Sequence, residues 1–148
     1  MNYYIASDHA GVVLKEFVVN LLKKEEINVV DLGPKTNDRV DYPDFAKLVC
    51  ENVQKDRGSF GILICGSGIG MSMAANKFDG IRAALCHNIY SAKMARNHND
   101  ANVLCLGERV CGEGLIEEII KAWLSNSFEE GRHTQRVEKI NNLLSCRV

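Results

Sequence analysis

Cys65 stands at the mouth of a loop carrying three glycines, Cys65-Gly66-Ser67-Gly68-Ile69-Gly70, directly after the apolar run Phe60–Ile64. Alternate glycines let a backbone turn tightly and aim several N–H groups at one point. Where such a loop opens a helix, the helix dipole adds partial positive charge at that point. A phosphate, or an oxyanion developing during a reaction, suits such a place. The same field favours a thiolate over a thiol, and a thiolate is a base as well as a nucleophile. The loop therefore has three chemical readings: a nucleotide cradle, a nucleophilic cysteine, or a proton-transfer base beside an oxyanion hole.

The first two fit poorly. The third glycine arrives one residue too early for G-x-G-x-x-G, and Cys86-His87 stands where a ribose-binding acid would end the next strand. G-x-x-x-x-G-K-[ST] is absent, and six residues after Cys65, where a cysteine phosphatase needs its arginine, there is Met71. A thiolate beside an oxyanion hole remains. It can take a proton next to a carbonyl while the nest stabilises the enediolate. The plain alternative is a tight turn with Cys65 filling a strand end.

Three further clusters carry titratable groups. Asp8-His9-Ala10-Gly11 joins a strand to a helix, where Asp8 could be no more than a helix cap beside a solvated histidine. His98 lies in Arg96-Asn97-His98-Asn99-Asp100, a polar loop before a strand; histidine exchanges protons near neutral pH, or is simply exposed. In Glu130-Gly131-Arg132-His133-Thr134-Gln135-Arg136, a helix beginning near Arg132 puts Arg132 and Arg136 on one face beside His133. Cations in a first turn oppose the helix dipole, a conflict relieved by a bound phosphate, or on the surface by Glu129 and Glu130. Together the clusters supply a base, an acid, an oxyanion nest and a phosphate clamp, a set suited to proton shuttling on a phosphorylated sugar.

The elements that must position these groups follow from periodicity. Short apolar runs at Tyr3–Ser7, Ile27–Leu32, Phe60–Cys65, Ile81–Cys86 and Val103–Leu106 predict strands. Helical spacing separates them, at Leu14, Phe17, Val18, Leu21 and Leu22, and at Phe45, Val49 and Val53 behind an Asp41 cap with Pro43 in the first turn. It recurs at Leu115, Ile116, Ile119, Ile120, Trp123 and Leu124, and at Val137, Ile140 and Leu144. Alternating strands and helices imply a Rossmann-like α/β/α sandwich, doubly wound on a parallel sheet of about five strands, with one domain over residues 1–148. In such sheets ligands bind beyond the carboxyl ends of the strands. Asp8-His9, the glycine loop, His87-Asn88 and Gly107-Glu108-Arg109 all fall there.

Composition narrows the partners. The chain has 46 % hydrophobic and 25 % charged residues and a formal net charge of -1, so no basic surface is offered to nucleic acid. No apolar run reaches the roughly 18 residues of a membrane span, and the start Met1–Gly11 has no signal-peptide pattern, so a cytoplasmic location is expected. The six cysteines form no C-x-x-C pair, which argues against a cysteine zinc site, and Cys50, Cys86 and Cys105 lie in apolar runs as core residues.

Six ordered stretches closely resemble ribose-5-phosphate isomerase type B, a family that includes galactose-6-phosphate and allose-6-phosphate isomerases. They are Ser7–Gly11, Asp41–Ala46, Cys65–Lys77, Gly80–Cys86, Arg96–Val110 and Glu130–Ile140, nearly end to end. The resemblance implies interconversion of ribose 5-phosphate and ribulose 5-phosphate through a cis-enediolate, with no metal and no cofactor. It implies Cys65 as the base and His98 as the acid of ring opening. Asp8, His9, Tyr42, Gly66, Ser67, Gly68, Ile69, Gly70 and Asn99 would contact substrate, and Arg109, Arg132, His133 and Arg136 its phosphate end. One branch of the family uses a glutamate just after the glycine loop; Met71 stands there, so the cysteine branch is indicated. The resemblance also implies sites shared between subunits of a homodimer or a dimer of dimers. A six-carbon sugar phosphate as substrate, and a non-catalytic sugar-phosphate or nucleotide-binding module on the same fold, stay open at this point.

Overall fold

In the computed structural model, which describes residues 1–143, five strands form one sheet in the order β2-β1-β3-β5-β4. They are β1 (Asn2–Ser7), β2 (Asn28–Asp31), β3 (Phe60–Cys65), β4 (Ala83–Leu85) and β5 (Val103–Gly107), and every adjacent pair is parallel. The helices are α1 (Val12–Lys24), α2 (Tyr42–Lys55), α3 (Ile69–Ala75), α4 (Ile89–Asn97), α5 (Glu113–Leu124) and α6 (Arg132–Asn142). No helix among the described residues is long and apolar enough to cross a membrane.

Strand alternation explains both cores. Successive side chains point to opposite faces. Ile62, Ile64, Leu104 and Leu106 therefore join α1 and α5 around Trp123, while Leu63, Cys65, Val103 and Cys105 join Val49 and Cys50 of α2 and Met71 and Ala75 of α3 on the other face. Cys50, Cys86 and Cys105 are buried, as their apolar surroundings in the sequence predict. Leu144 and Cys146 lie outside the described residues.

Because α1 and α2 lie on opposite faces while β1 and β3 are neighbours, the winding reverses between those two strands. That reversal opens a crevice at their carboxyl ends. Ser7 is in register with Ile64, and the Asp8 amide donates to the Ile64 carbonyl at 3.0 Å. Asp8 and Cys65 thus flank the crevice.

Three local details differ from the sequence reading. Asp41 occupies the position before α2 but makes no side-chain capping bond. β4 is only three residues long, because the Arg82 amide is taken by the Asn102 side chain at 2.8 Å rather than by the ladder. Arg96 and Asn97, expected in the polar loop around His98, instead close α4 (Ile89–Asn97), which is opened by Asn88 accepting from the Ser91 amide at 2.8 Å.

Candidate active site

The Cys65 side of the molecule is built by β3, β5 and the start of α3. The Cys65 carbonyl accepts from the Glu108 amide and the Gly66 carbonyl from the Arg109 amide, both at 2.9 Å, so the end of β5 clamps the glycine loop. Gly68 has φ of 79°, and its amide donates to Cys65 Sγ at 3.1 Å. A thiol here is a hydrogen-bond acceptor at the opening of a helix. It is 5 % exposed and lines a cleft of about 550 Å³, a size that holds a small metabolite.

Asp8 enters the cleft from the end of β1. It also caps the turn His9–Gly11, accepting from the Ala10 and Gly11 amides at 3.0 and 3.2 Å, so it holds the backbone as well as facing the cleft. Tyr42, first residue of α2, lays its ring against Gly70: a Cβ there would stand 2.6 Å from the ring. Ser67, Ile69 and Arg109 complete this wall, the guanidinium lying beside Gly66. His9 follows Asp8 in the turn after β1, with its Nδ1 3.3 Å from both the amide nitrogen and the carbonyl oxygen of Val40. Met73 and Val110 line the cleft. Neither carries a chemical signature, although Met73 follows Ile69 by one helical turn and so shares its face.

Gly68 tests this geometry directly. A Cβ there would meet Leu85 Cδ1 at 2.5 Å and the Leu106 carbonyl carbon at 2.9 Å, at a φ that L side chains avoid. Left-handed strain costs about 1–2 kcal/mol and overpacking about 1–3 kcal/mol. Gly68→Ala is therefore expected to lose about 2–5 kcal/mol of stability, read from its urea midpoint; an unchanged midpoint would mean a more open loop than described.

The remaining expected residues gather elsewhere. α4 runs antiparallel to the strands over 9 residues, about 13 Å of axis. It carries His98 to the opposite end of the sheet from Cys65. Buried Arg96 anchors this end: its guanidinium stacks over Phe60 and Trp123 and donates to the Ala101 carbonyl. Asp100 joins it to Arg82, with N–O distances of 3.3 and 3.0 Å. His98 stacks on His133 of α6, with ring centroids 4.2 Å apart. Burial, then the neighbouring His98, Arg132 and Arg136, hold the His133 imidazole below its ordinary pKa, against the opposing pull of Glu129. Arg132 and Arg136 are exposed on the same helix and form no ion pair among the described residues. Asn99 lines a second hollow of about 320 Å³ with Asn76, Arg82 and Ile140.

Glu129 differs from its sequence reading. It faces not the arginines but the two histidines, its Oε2 3.8 Å from His98 Nε2 and 4.0 Å from His133 Nε2. Its place beside them follows from folding, because its amide donates to the Asn97 carbonyl at 3.0 Å. The chain thus presents two half-clusters: Asp8, Tyr42, Cys65–Gly70 and Arg109 at the carboxyl ends of the strands, and His98, Asn99, Arg132, His133 and Arg136 at the other end.

Comparison with known proteins agrees with this architecture. Residues 3–140 match the family model described as Ribose/Galactose Isomerase. Ribose-5-phosphate isomerase B of Escherichia coli (strain K12) is 48 % identical over 133 residues, covering 90 % of this chain and 89 % of that protein. The solved ribose-5-phosphate isomerase B of Clostridium thermocellum superposes with a TM-score of 0.96 at 49 % identity, over 98 % of both chains. That of Mycoplasma genitalium, solved with ribulose-5-phosphate bound, gives 0.94 at 45 % identity over 98 % of this chain and 97 % of that one. With a matching family model along nearly its whole length and relatives near half identity, the chain belongs to the Ribose/Galactose Isomerase family.

Proposed function

We propose that this protein is a ribose-5-phosphate isomerase that interconverts ribose 5-phosphate and ribulose 5-phosphate by proton transfer. The observation that carries the reading is Cys65 Sγ, held by the Gly68 amide at the base of a metabolite-sized cleft. The relatives named above support the choice of sugar. In this mechanism His98 gives a proton to the ring oxygen as the furanose opens, and the anomeric hydroxyl releases its proton to water as the aldehyde forms. Cys65 takes the proton from carbon 2 of the open aldose and returns it to carbon 1, while the hydroxyl proton of O2 passes to O1. Backbone amides of the glycine loop that are not bonded within it, those of Gly66, Ser67 and Gly70, hold the enediolate oxygen between the two steps. Asp8 and Tyr42 orient the sugar, and Arg109, Arg132, His133 and Arg136 hold the phosphate end, with His9 and Asn99 as further contacts.

Since His98 and the α6 cations lie a strand's length from Cys65 in one chain, we assign each complete site to two chains. One subunit supplies the cleft, and the other supplies the histidine and the phosphate clamp. A homodimer is then the smallest active unit. The reaction uses a reduced thiol, which suits the cytoplasm.

Ribose 5-phosphate incubated with the protein in heavy water should give ribulose 5-phosphate, and deuterium at the exchanged carbon, by proton NMR. Arg136→Ala should raise KM roughly 10-fold or more while changing kcat less, because a charge-assisted phosphate contact contributes about 1.5–3 kcal/mol. Binding without turnover or deuterium uptake, also with galactose 6-phosphate and allose 6-phosphate, would overturn the isomerase reading in favour of a binding module.

A further inference from the structure

His98 closes α4, Glu129 lies in the connection after α5, and His133 is in the first turn of α6, yet one ligand atom from each lies within 4.8 Å of the others. The arrangement is set by backbone. The Glu129 amide is tied to the end of α4, and Glu130 and Gly131, with φ of 60° and 56°, turn the chain directly into α6. One carboxylate oxygen faces two imidazole nitrogens at 3.8 and 4.0 Å, beyond hydrogen-bond reach of either, so the three groups converge on one point without bonding to one another. Imidazole nitrogen and carboxylate oxygen are the donor set of zinc and its borderline neighbours.

The distances permit coordination. Metal bonds of about 2.0–2.1 Å in a tetrahedral shell place donors about 3.3 Å apart. The pairs that include Glu129 stand at 3.8 and 4.0 Å, so small side-chain rotations close them, the rings opening from their 13° stack. Glu129 and His98 have 53 % and 34 % exposed side chains and meet an ion from solvent, while His133, at 7 %, is the fixed member. Arg132 and Arg136 oppose a dication here, which makes the Glu129 charge the decisive ligand.

We propose that His98, Glu129 and His133 form a binding site for a zinc-class divalent cation, and that occupancy inhibits the enzyme by removing the His98 imidazole from proton transfer. The inhibitory half of this proposal rests on the role given to His98 above; the binding half does not.

Untagged, metal-stripped full-length protein would be titrated with zinc by calorimetry and with cobalt(II) by visible absorption. One ion per chain is expected, with affinity reduced at least about 10-fold in Glu129→Gln and in His133→Ala, and unchanged in Cys65→Ala. Unchanged affinity in the first two variants, or loss in Cys65→Ala instead, would overturn the site, the latter because the ion then sits on the thiol. In the ribose 5-phosphate assay, Glu129→Gln should match the wild-type rate without zinc and need at least about 10-fold more zinc for half inhibition. Equal inhibition of both would overturn the regulatory role. Zinc binding with this mutational pattern in a protein that turns over no sugar phosphate would support the site and overturn the isomerase reading.

Discussion

Cys65→Ala is expected to lower ribose 5-phosphate turnover by roughly 10²–10⁴-fold, the contribution of a positioned base, while leaving the fold and substrate affinity nearly intact. The side chain lost is small and lies at the edge of the second core, so packing suffers little. What disappears is the group that carries hydrogen between two carbons, so deuterium uptake from heavy water should fall with ketose formation. Specificity for this thiol is checked with the neighbouring ones. Burial pushes Cys50 up to about 12 and Cys86 up to about 11, and raises Cys105 well above the ordinary thiol range. Those thiols stay protonated, and none of them lines the cleft. Cys105→Ala, one strand over, should therefore cost stability but keep turnover within about twofold per folded molecule. A Cys65→Ala variant with near-wild-type rate would remove the assigned base, and with it the reading of the glycine loop as an oxyanion hole.

How much of this was legible in the sequence depended on whether the signal was local. The glycine loop, its preceding strand and the helix after it are contiguous, and β3 ends at Cys65 and α3 begins at Ile69 where the local pattern places them. The start of α6 at Arg132 was readable from the same kind of local pattern. α4 was not, because Ile89–Asn97 mixes tyrosine, lysine and arginine with small residues and shows only a weak apolar stripe. Arg96 hides the pattern further: its cation is buried over two aromatic rings, where periodicity expects an apolar residue. A loop before a strand already puts His98 at the amino end of the sheet, but without α4 the stacking of His98 on His133 and its fixed distance from Cys65 had no local signal. Glu129 was invisible for a similar reason. Only the hydrogen bond to Asn97, 32 positions earlier, turns a surface charge into a partner of two histidines.

That separation leads to the strongest test of the two-chain site. Cys65→Ala and His98→Ala are each expected to be nearly inactive as homodimers, since every site lacks either its base or its ring-opening acid. In a mixed dimer the defects segregate. One site combines both substitutions, and the other combines the intact Cys65 of one chain with the intact His98 of the other. Random refolding of equal amounts makes half the dimers mixed, so activity should return to about a quarter of wild type. With each parent down by roughly 10²–10⁴-fold, that recovery is far outside the sum of the two. Native mass spectrometry of the same sample would confirm that mixed dimers are present. If they form and activity does not rise, Cys65 and His98 act within one chain, and α4 would have to move His98 along the length of the sheet. The anchoring of its last turn by Arg96, Asp100 and Arg82 argues against such a movement. Those bonds hold the acid at a fixed place on the surface, where a second chain can bring its thiol to meet it.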